Sequence, residues 1–319
     1  MEGEVNNLIF VWATALASLF YCHTITNLIA PGKTRLLSFF PIFCLFFYLP
    51  LRLTSVHFTG TTSFFITWLA TFKLLLFAFD QGPLYSNPPL PVSKFILTAC
   101  LPIKLRSDVD VYSNSKRNVG LALVAYAARA VVGFQLEPQF NEPYLATSLQ
   151  DFWGKRWNLM VTGILHPTVY LPVRSISGKF LTKKWGSFPA VMATFIVSGL
   201  MHELLFYYIG RLKPTWEVTW FFVIHGLLAG LEVVVKRELG GILHVPAMVS
   251  GPLALVVVMA TSFWLFFPPF LQSDTEVRSC KEFMAFLELV VRGRFVGPND
   301  VSCPYLLSYT SKDWRGIYD

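Results

Sequence analysis

The chain has 319 residues, of which 54% are hydrophobic and only 14% charged. A soluble domain carries about 25% charged residues, so there is too little polar surface here to coat a water-soluble globule. The apolar content also excludes disorder, which leaves a protein embedded in a bilayer, where lipid solvates an apolar exterior.

The formal net charge of +7 reads as an excess of Lys and Arg in cytoplasmic loops. Nucleic-acid binding is disfavoured, because no basic run exceeds a Lys-Lys or Lys-Arg pair. Cys22, Cys44, Cys100, Cys280 and Cys303 are scattered, odd in number and without a C-x-x-C spacing. They are expected to be reduced packing thiols rather than a disulfide framework or a zinc site.

In chain order, the first apolar segment covers residues 8–30. Glu2 and Glu4 precede it, so it lacks the basic start of a signal peptide and predicts a first membrane helix. Pro31 and Gly32 end it, with Lys33 and Arg35 adding charge. A second run spans residues 36–53, with Pro41 and Pro50 expected to kink or end it. A third spans residues 58–79 and contains Lys73, expected to snorkel or to face a partner. Residues 80–118 read as a polar loop with a short interfacial helix at 95–103. If the second and third segments form a hairpin, this loop and the Lys33/Arg35 loop share the cytoplasmic side.

Residues 119–136 form a shorter apolar stretch interrupted by Arg129, which does not face lipid at a cost of about 2.5–3.5 kcal/mol. Residues 159–173 are apolar but short, and His166-Pro167 predicts a re-entrant or broken helix. Three clear spans follow at residues 188–209, 216–235 and 245–271, then a tail with an interfacial helix at 282–291. The expected architecture is an all-α, polytopic membrane bundle of seven to nine segments of about 20 residues. Residues 1–271 form its membrane domain and 272–319 a divergent tail.

Ser198-Gly199-Leu200-Met201-His202-Glu203 lies near the centre of the span at 188–209. Ser198 and His202 share a face, whereas Glu203 lies about 100° around the helix. An ionisable residue at that depth marks a functional site, and imidazole suits proton transfer near neutral pH. The alternative is a His that ties two helices together. A zinc H-E-x-x-H motif is excluded, because Phe206 stands where the second His belongs. His23, His57, His166 and His225 are expected to be structural and His244 solvated. No G-x-S-x-G, Walker A or G-x-G-x-x-G motif occurs.

Phe152-Trp153-Gly154-Lys155-Arg156-Trp157-Asn158 is the second constellation. Alone, its aromatic and basic residues read as a headgroup-level anchor. The functional reading is a site for an amphipathic substrate, with Lys155 and Arg156 at phosphates and apolar residues along an acyl tail.

Together these residues carry a resemblance. The run from Glu137-Pro138-Gln139-Phe140-Asn141 to Asp151-Phe152-Trp153-Gly154-Lys155-Arg156-Trp157-Asn158, then His166-Pro167-Thr168-Val169-Tyr170 and Ser198-Gly199-Leu200-Met201-His202-Glu203, resembles the plant wax synthase family of membrane-bound O-acyltransferases. Asn27 to Arg35 and the stretch at 69–83 are similar too. The resemblance covers about residues 5–271. It departs at residues 107–134, shorter than the family usually shows, and in the tail.

The resemblance implies a multi-pass enzyme of the endoplasmic reticulum with a tunnel through its bundle. It implies a fatty acyl-CoA co-substrate, a long-chain alcohol or sterol acceptor, and no metal or redox cofactor. By motif, His202 corresponds to the catalytic histidine and Asn158 to its polar partner; Lys155, Arg156, Trp157 and Ser198 are candidate substrate-binding residues. His202 is then the general base and Asn158 holds the thioester or the developing oxyanion. A non-catalytic lipid-binding protein or a transporter is the rival reading, although a transporter should show paired broken helices and His166-Pro167 has no clear mate.

Overall fold

In hydrocarbon a backbone must close its own hydrogen bonds, so the apolar runs become helices. The computed structural model describes residues 2–104, 135–136, 139–182, 185–238 and 246–303. In chain order the helices are α1 (Gly3–Ile25), α2 (Lys33–Arg52), α3 (Val56–Phe77), α4 (Val92–Cys100), α5 (residues 149–156), α6 (residues 159–177), α7 (Trp185–Gly210), α8 (Glu217–Glu238), α9 (Ala247–Gln272) and α10 (Thr275–Arg292). Two-residue strands pair antiparallel, Ile103 with Leu136 and Lys104 with Gln135. The predicted segment at 119–134, Arg129 within it, and His244 lie outside the described residues.

Six helices among the described residues are long and apolar enough to cross a membrane: α1, α2, α3, α7, α8 and α9. The protein is therefore a multi-pass membrane protein, with fewer spans there than the seven to nine expected. Pro41 does not end its segment, for it sits inside α2; spanning helices tolerate proline where neighbours and local adjustments satisfy the freed carbonyl.

One packing unit comprises α1, α2, α3 and α4, around Val11, Leu19, Phe39, Phe46, Leu74 and Phe95. Two buried cations hold one end of it. Arg35 is 5% exposed; its guanidinium donates to the carbonyls of Ile29 and Phe77 and to Asp80 at 2.5 Å. It thereby joins the two N-terminal stretches that the sequence singled out as similar to one family, and places the Lys33/Arg35 loop and the start of the polar loop at one end of the bundle. Lys73 does not snorkel. It is buried and donates to Thr98 O at 2.5 Å and Leu101 O at 2.7 Å, so a cation meets the carbonyl end of α4, where the helix dipole is negative.

At the opposite end two carboxylates cap the start of α3. Glu4 accepts from the N–H groups of Thr54 and Ser55, each at 2.7 Å. Glu282 of α10 accepts from Val56 N and Ser55 Oγ, each at 2.8 Å, and lies 2.8 Å from His57 Nδ1. Burial opposes the charge on Glu282, but these donors outweigh it and hold its carboxyl below the ordinary range. Residues beyond 271 are thus tied to the bundle. The expectation that all five cysteines are free thiols is corrected: Cys280 and Cys303 form a disulfide, because the chain turns back along α10 after Gly293 and brings together two cysteines 23 positions apart.

The second unit is built on α7 and α8, which cross at small residues. A Cβ on Gly199 would lie 3.2 Å from Thr219 Cα and Phe222 Cβ. One on Gly226 would lie 2.8 Å from Phe195 Cβ. The absent side chains are what let the two backbones close.

Helix α6 resolves the alternatives left by His166-Pro167. It is continuous, with a π turn over His166–Tyr170 in which the Leu171 N–H reaches back to His166 O. The extra residue in that turn accommodates Pro167 without breaking the helix. The segment nonetheless begins and ends near the same end of the bundle. Ser148 and Gln150, before it, bond Lys236 and Glu232 of α8; Ser177, at its end, bonds Gly186 O at the start of α7. Arg237 bonds Ser187, so these flanks share one end of the bundle. Between them, Val161 and Leu165 pack on Trp68, Val197 and Met201 deep in the spans.

Arg35→Ala leaves the partly buried Asp80 carboxylate and the Ile29 carbonyl short of donors, at a cost of about 1–3 kcal/mol each if water does not replace them. The variant is expected to melt several degrees below wild type in detergent, as read by thermal unfolding monitored by size-exclusion chromatography.

Candidate active site

The two motif regions meet because a clamp folds one onto the other. Asn141 N donates to Arg156 O at 2.8 Å, and Leu159 N to Gln139 O at 3.0 Å. Arg156 donates from Nε to Asp151 Oδ2 at 2.6 Å, and from Nη1 to the carbonyls of Asn141 and Glu142 at 3.3 and 3.2 Å. Burial works against the charge on Asp151, yet the hydrogen bonds from Arg156 and the Thr147 N–H, with the charges of Arg156 and Lys155, hold its carboxyl below the ordinary range. Arg156 is therefore engaged within the loop, and Lys155 is exposed; neither lines the cavity described next.

A cavity of about 980 Å³ runs between α5, α6, α7, α8 and α9. Its walls are mostly apolar and aromatic. His202, Asn158, Ser198 and Trp157 all line it, so four of the six sequence candidates share one chamber. Gln150 and Arg237 lie toward the end shared by Ser148 and Lys236, while His202 and Phe266 lie deep.

His202 is held on three sides. Its ring meets Trp68 edge-on at 4.9 Å, Phe222 at 4.5 Å and Phe266 at 5.9 Å. Its Nδ1 lies 2.8 Å from the carbonyl oxygen of Ser198. A carbonyl only accepts, so Nδ1 carries the proton and Nε2 keeps its lone pair. The Ser198–His202 relation read from helical spacing is thus real, but the backbone of Ser198 makes it rather than its hydroxyl. Glu203 does not orient the imidazole. It is 5% exposed and accepts from Trp216 N at 2.9 Å and from Thr219 N and Oγ1 at 3.1 Å, capping the first turn of α8.

Asn158 sits at the start of α6 with φ of 43°, a left-handed conformation that Asn tolerates better than most residues. Its Oδ1 accepts from Val161 N at 3.4 Å, which leaves the amide NH₂ as a donor at the cavity wall. Trp157 stacks on Phe152 at 5.4 Å and leans on Phe140 at 4.8 Å.

Four π-helical turns occur among the described residues, at Ser63–Ala70, Phe152–Arg156, His166–Tyr170 and Ser262–Phe266. Each delivers an aromatic ring or an imidazole to this chamber or to the His202 ring: Trp68, Trp153, His166 and Phe266. Such turns widen a helix to re-aim side chains and gather at functional sites. Sequence reasoning missed Trp68, Phe222 and Phe266 because nothing in an apolar run distinguishes the aromatic that faces an imidazole. His225, fully buried with Nδ1 2.8 Å from Phe221 O, is structural.

Residues 136–224 match the Membrane bound O-acyl transferase family, and this range contains both motifs. The chain is 42% identical to the Arabidopsis thaliana protein named Probable long-chain-alcohol O-fatty-acyltransferase 1, over 91% of this chain and 98% of that protein. It is 40% identical to the Simmondsia chinensis Long-chain-alcohol O-fatty-acyltransferase over 99% of both chains. It is 39% identical to Acyl-CoA–sterol O-acyltransferase 1 of A. thaliana, over 90% of this chain and 97% of that one. The Simmondsia alignment runs over 369 positions against the 319 residues of this chain. No solved structure gives a significant match.

The Asp151–Arg156 clamp yields a pH signature. A carboxyl lowered by folding stabilises above its unfolded pKa, near 3.9, and that contribution is lost as pH falls through the lower folded value. Asp151→Asn is expected to melt below wild type at pH 7, with the gap closing from about pH 4 downward. Melting curves of both proteins across that range provide the measurement; a gap independent of pH would show that the ionised carboxylate is not what holds the loop.

Proposed function

The chain belongs to the membrane-bound O-acyltransferases, among the plant long-chain-alcohol O-fatty-acyltransferases, and from that premise we propose that it transfers a long-chain fatty acyl group from acyl-CoA to a long-chain alcohol, forming a wax ester. The observation that carries this reading is an imidazole whose Nδ1 is occupied by Ser198 O at 2.8 Å and whose Nε2 is left for a cavity at membrane depth that Asn158 also lines.

In the proposed reaction the alcohol O–H approaches His202 Nε2, which takes the proton as the oxygen attacks the thioester carbonyl. The new C–O bond forms and the carbonyl electrons move onto oxygen, where the Asn158 NH₂ donates a hydrogen bond. The carbonyl reforms, the C–S bond breaks, and the imidazolium returns its proton to the departing thiolate. Ester and CoA thiol result, with His202 back in its starting tautomer. The aromatic wall keeps water from the thioester, which limits hydrolysis.

Within this reading the Lys- and Arg-rich end of the bundle faces the cytosol, the compartment is the endoplasmic reticulum, the donor enters from that end and the alcohol from the bilayer. Arg156 and Lys155 act outside the chamber, Arg156 by fixing the loop that presents Trp157 and Asn158. A sterol acceptor is the second reading, favoured by the 39% identity to an acyl-CoA–sterol O-acyltransferase.

Microsomes expressing the protein, given labelled acyl-CoA with fatty alcohol, sterol and diacylglycerol in parallel, are expected to yield wax ester as the main product. His202→Ala should lower turnover by about 10²–10⁴-fold while the protein still accumulates in the membrane fraction. Asn158→Asp preserves the side-chain oxygen that caps α6 and the backbone preference but removes the NH₂ donor. It is expected to lose about 10²–10³-fold in kcat; unchanged kinetics would reduce Asn158 to a helix cap. Full turnover in His202→Ala would end the general-base assignment.

A further inference from the structure

His166 is an imidazole in the cavity wall for which the transfer chemistry has no use. It opens the π turn of α6, and its ring stacks on Tyr170 with centroids 4.9 Å apart and planes 18° apart. That stack fixes the plane of the ring. Among the described residues it makes no hydrogen bond to protein, and it stays exposed on the cavity side. Other polar groups in the wall are differently placed. Thr162, Thr194 and Ser262 each donate their hydroxyl proton to a backbone carbonyl, at 3.2, 2.8 and 2.7 Å. His166 retains a donor and an acceptor at a mostly apolar cavity wall, where both are accessible to a ligand.

The position of His166 along the chamber narrows the ligand. Val161 and Leu165 pack at the level of Val197 and Met201, beside His202. His166 follows Leu165 toward the end where Ser177 meets Gly186, so it stands within about one helical turn, at most roughly 5 Å, of the reacting centre on its basic side. In a CoA thioester two methylenes separate the sulfur from the first amide of the thiol arm, a comparable distance. One turn further along the same helix Tyr170 accepts from Arg174 Nη1 at 2.8 Å, and the exposed Arg174 guanidinium lies 5.9 Å from the Tyr170 ring centroid. One face of α6 therefore runs from a cation at the bundle end to a hydrogen-bonding ring near the centre.

We propose that His166 is a donor-positioning residue, which hydrogen-bonds the first amide of the CoA thiol arm and so sets the depth at which the thioester stops beside His202. This rests on acyl-CoA being the donor. His166 touches no reacting atom; the α6 π turn presents it, and Tyr170 holds its plane.

The test separates hydrogen bonding from packing. His166→Phe keeps the stack on Tyr170 and loses the hydrogen bond, whereas His166→Gln keeps a donor and an acceptor. His166→Phe is expected to raise KM for acyl-CoA by roughly three- to tenfold, leaving KM for the alcohol unchanged, and His166→Gln to recover most of that loss. With S-acyl-N-acetylcysteamine, which retains the amide but carries no phosphate, the difference between wild type and His166→Phe should persist. With an S-acyl ethanethiol, which lacks the amide, it should vanish. Equal acyl-CoA KM values in wild type and His166→Phe, or a loss that falls on the alcohol, overturn the assignment while leaving the acyltransferase reading intact. A wild-type enzyme that makes no ester from acyl-CoA overturns that reading, and the role of His166 with it.

Discussion

The hydrogen bond from His202 Nδ1 to Ser198 O, 2.8 Å long, is the contact on which the proposed chemistry depends. In water an imidazole exchanges its two tautomers freely. In a helix surrounded by lipid and aromatic rings, the carbonyl one turn back is the partner within reach, and it accepts only. The helix backbone thereby selects the tautomer, and selection of the tautomer selects which nitrogen remains basic. Removing the side chain of Ser198 would leave that bond in place, because the backbone makes it.

Several charged groups buried elsewhere in the bundle are occupied by partners of their own. Arg35 and Lys73 are buried cations, and each is satisfied by carbonyls of neighbouring segments. Glu203, adjacent to the catalytic candidate in sequence, spends both oxygens on the first turn of α8. Neighbouring residues on one helix thus do separate work because their side chains leave it about 100° apart, His202 toward the chamber and Glu203 toward the next helix. The Asp151–Arg156 pair does a similar service for the loop before α6, converting the sequence element into a frame for Trp157 and Asn158.

The aromatic richness of the chain acquires a purpose in the same light. Four π turns rotate rings into or against the chamber. Each sacrifices regular helical hydrogen bonding locally, and each faces the same space. Close approach of α7 and α8 at Gly199 and Gly226 brings Phe195 and Phe222 to that wall. Small residues set the backbones close, and large ones fill what remains between the helices.

Composition and the length of the apolar runs determined a helical membrane protein, since hydrocarbon leaves a chain so poor in charge no other way to satisfy its backbone. The spans at 188–209 and 216–235 were legible to within three residues of Trp185–Gly210 and Glu217–Glu238, and the central His-Glu pair stood out because polar groups are rare at that depth. Tertiary structure alone decided which polar groups had spare capacity. Sequence shows that Arg156, His166, Asn158 and His202 exist, but not that Asp151 occupies the first, that a π turn leaves the second open, or that the last two share a chamber. It also missed the Cys280–Cys303 bond, whose partners meet only when the chain turns back along α10. The physical reason is common to these cases: hydropathy is summed along the chain, whereas the pairing of hydrogen-bond partners is settled between segments distant in it.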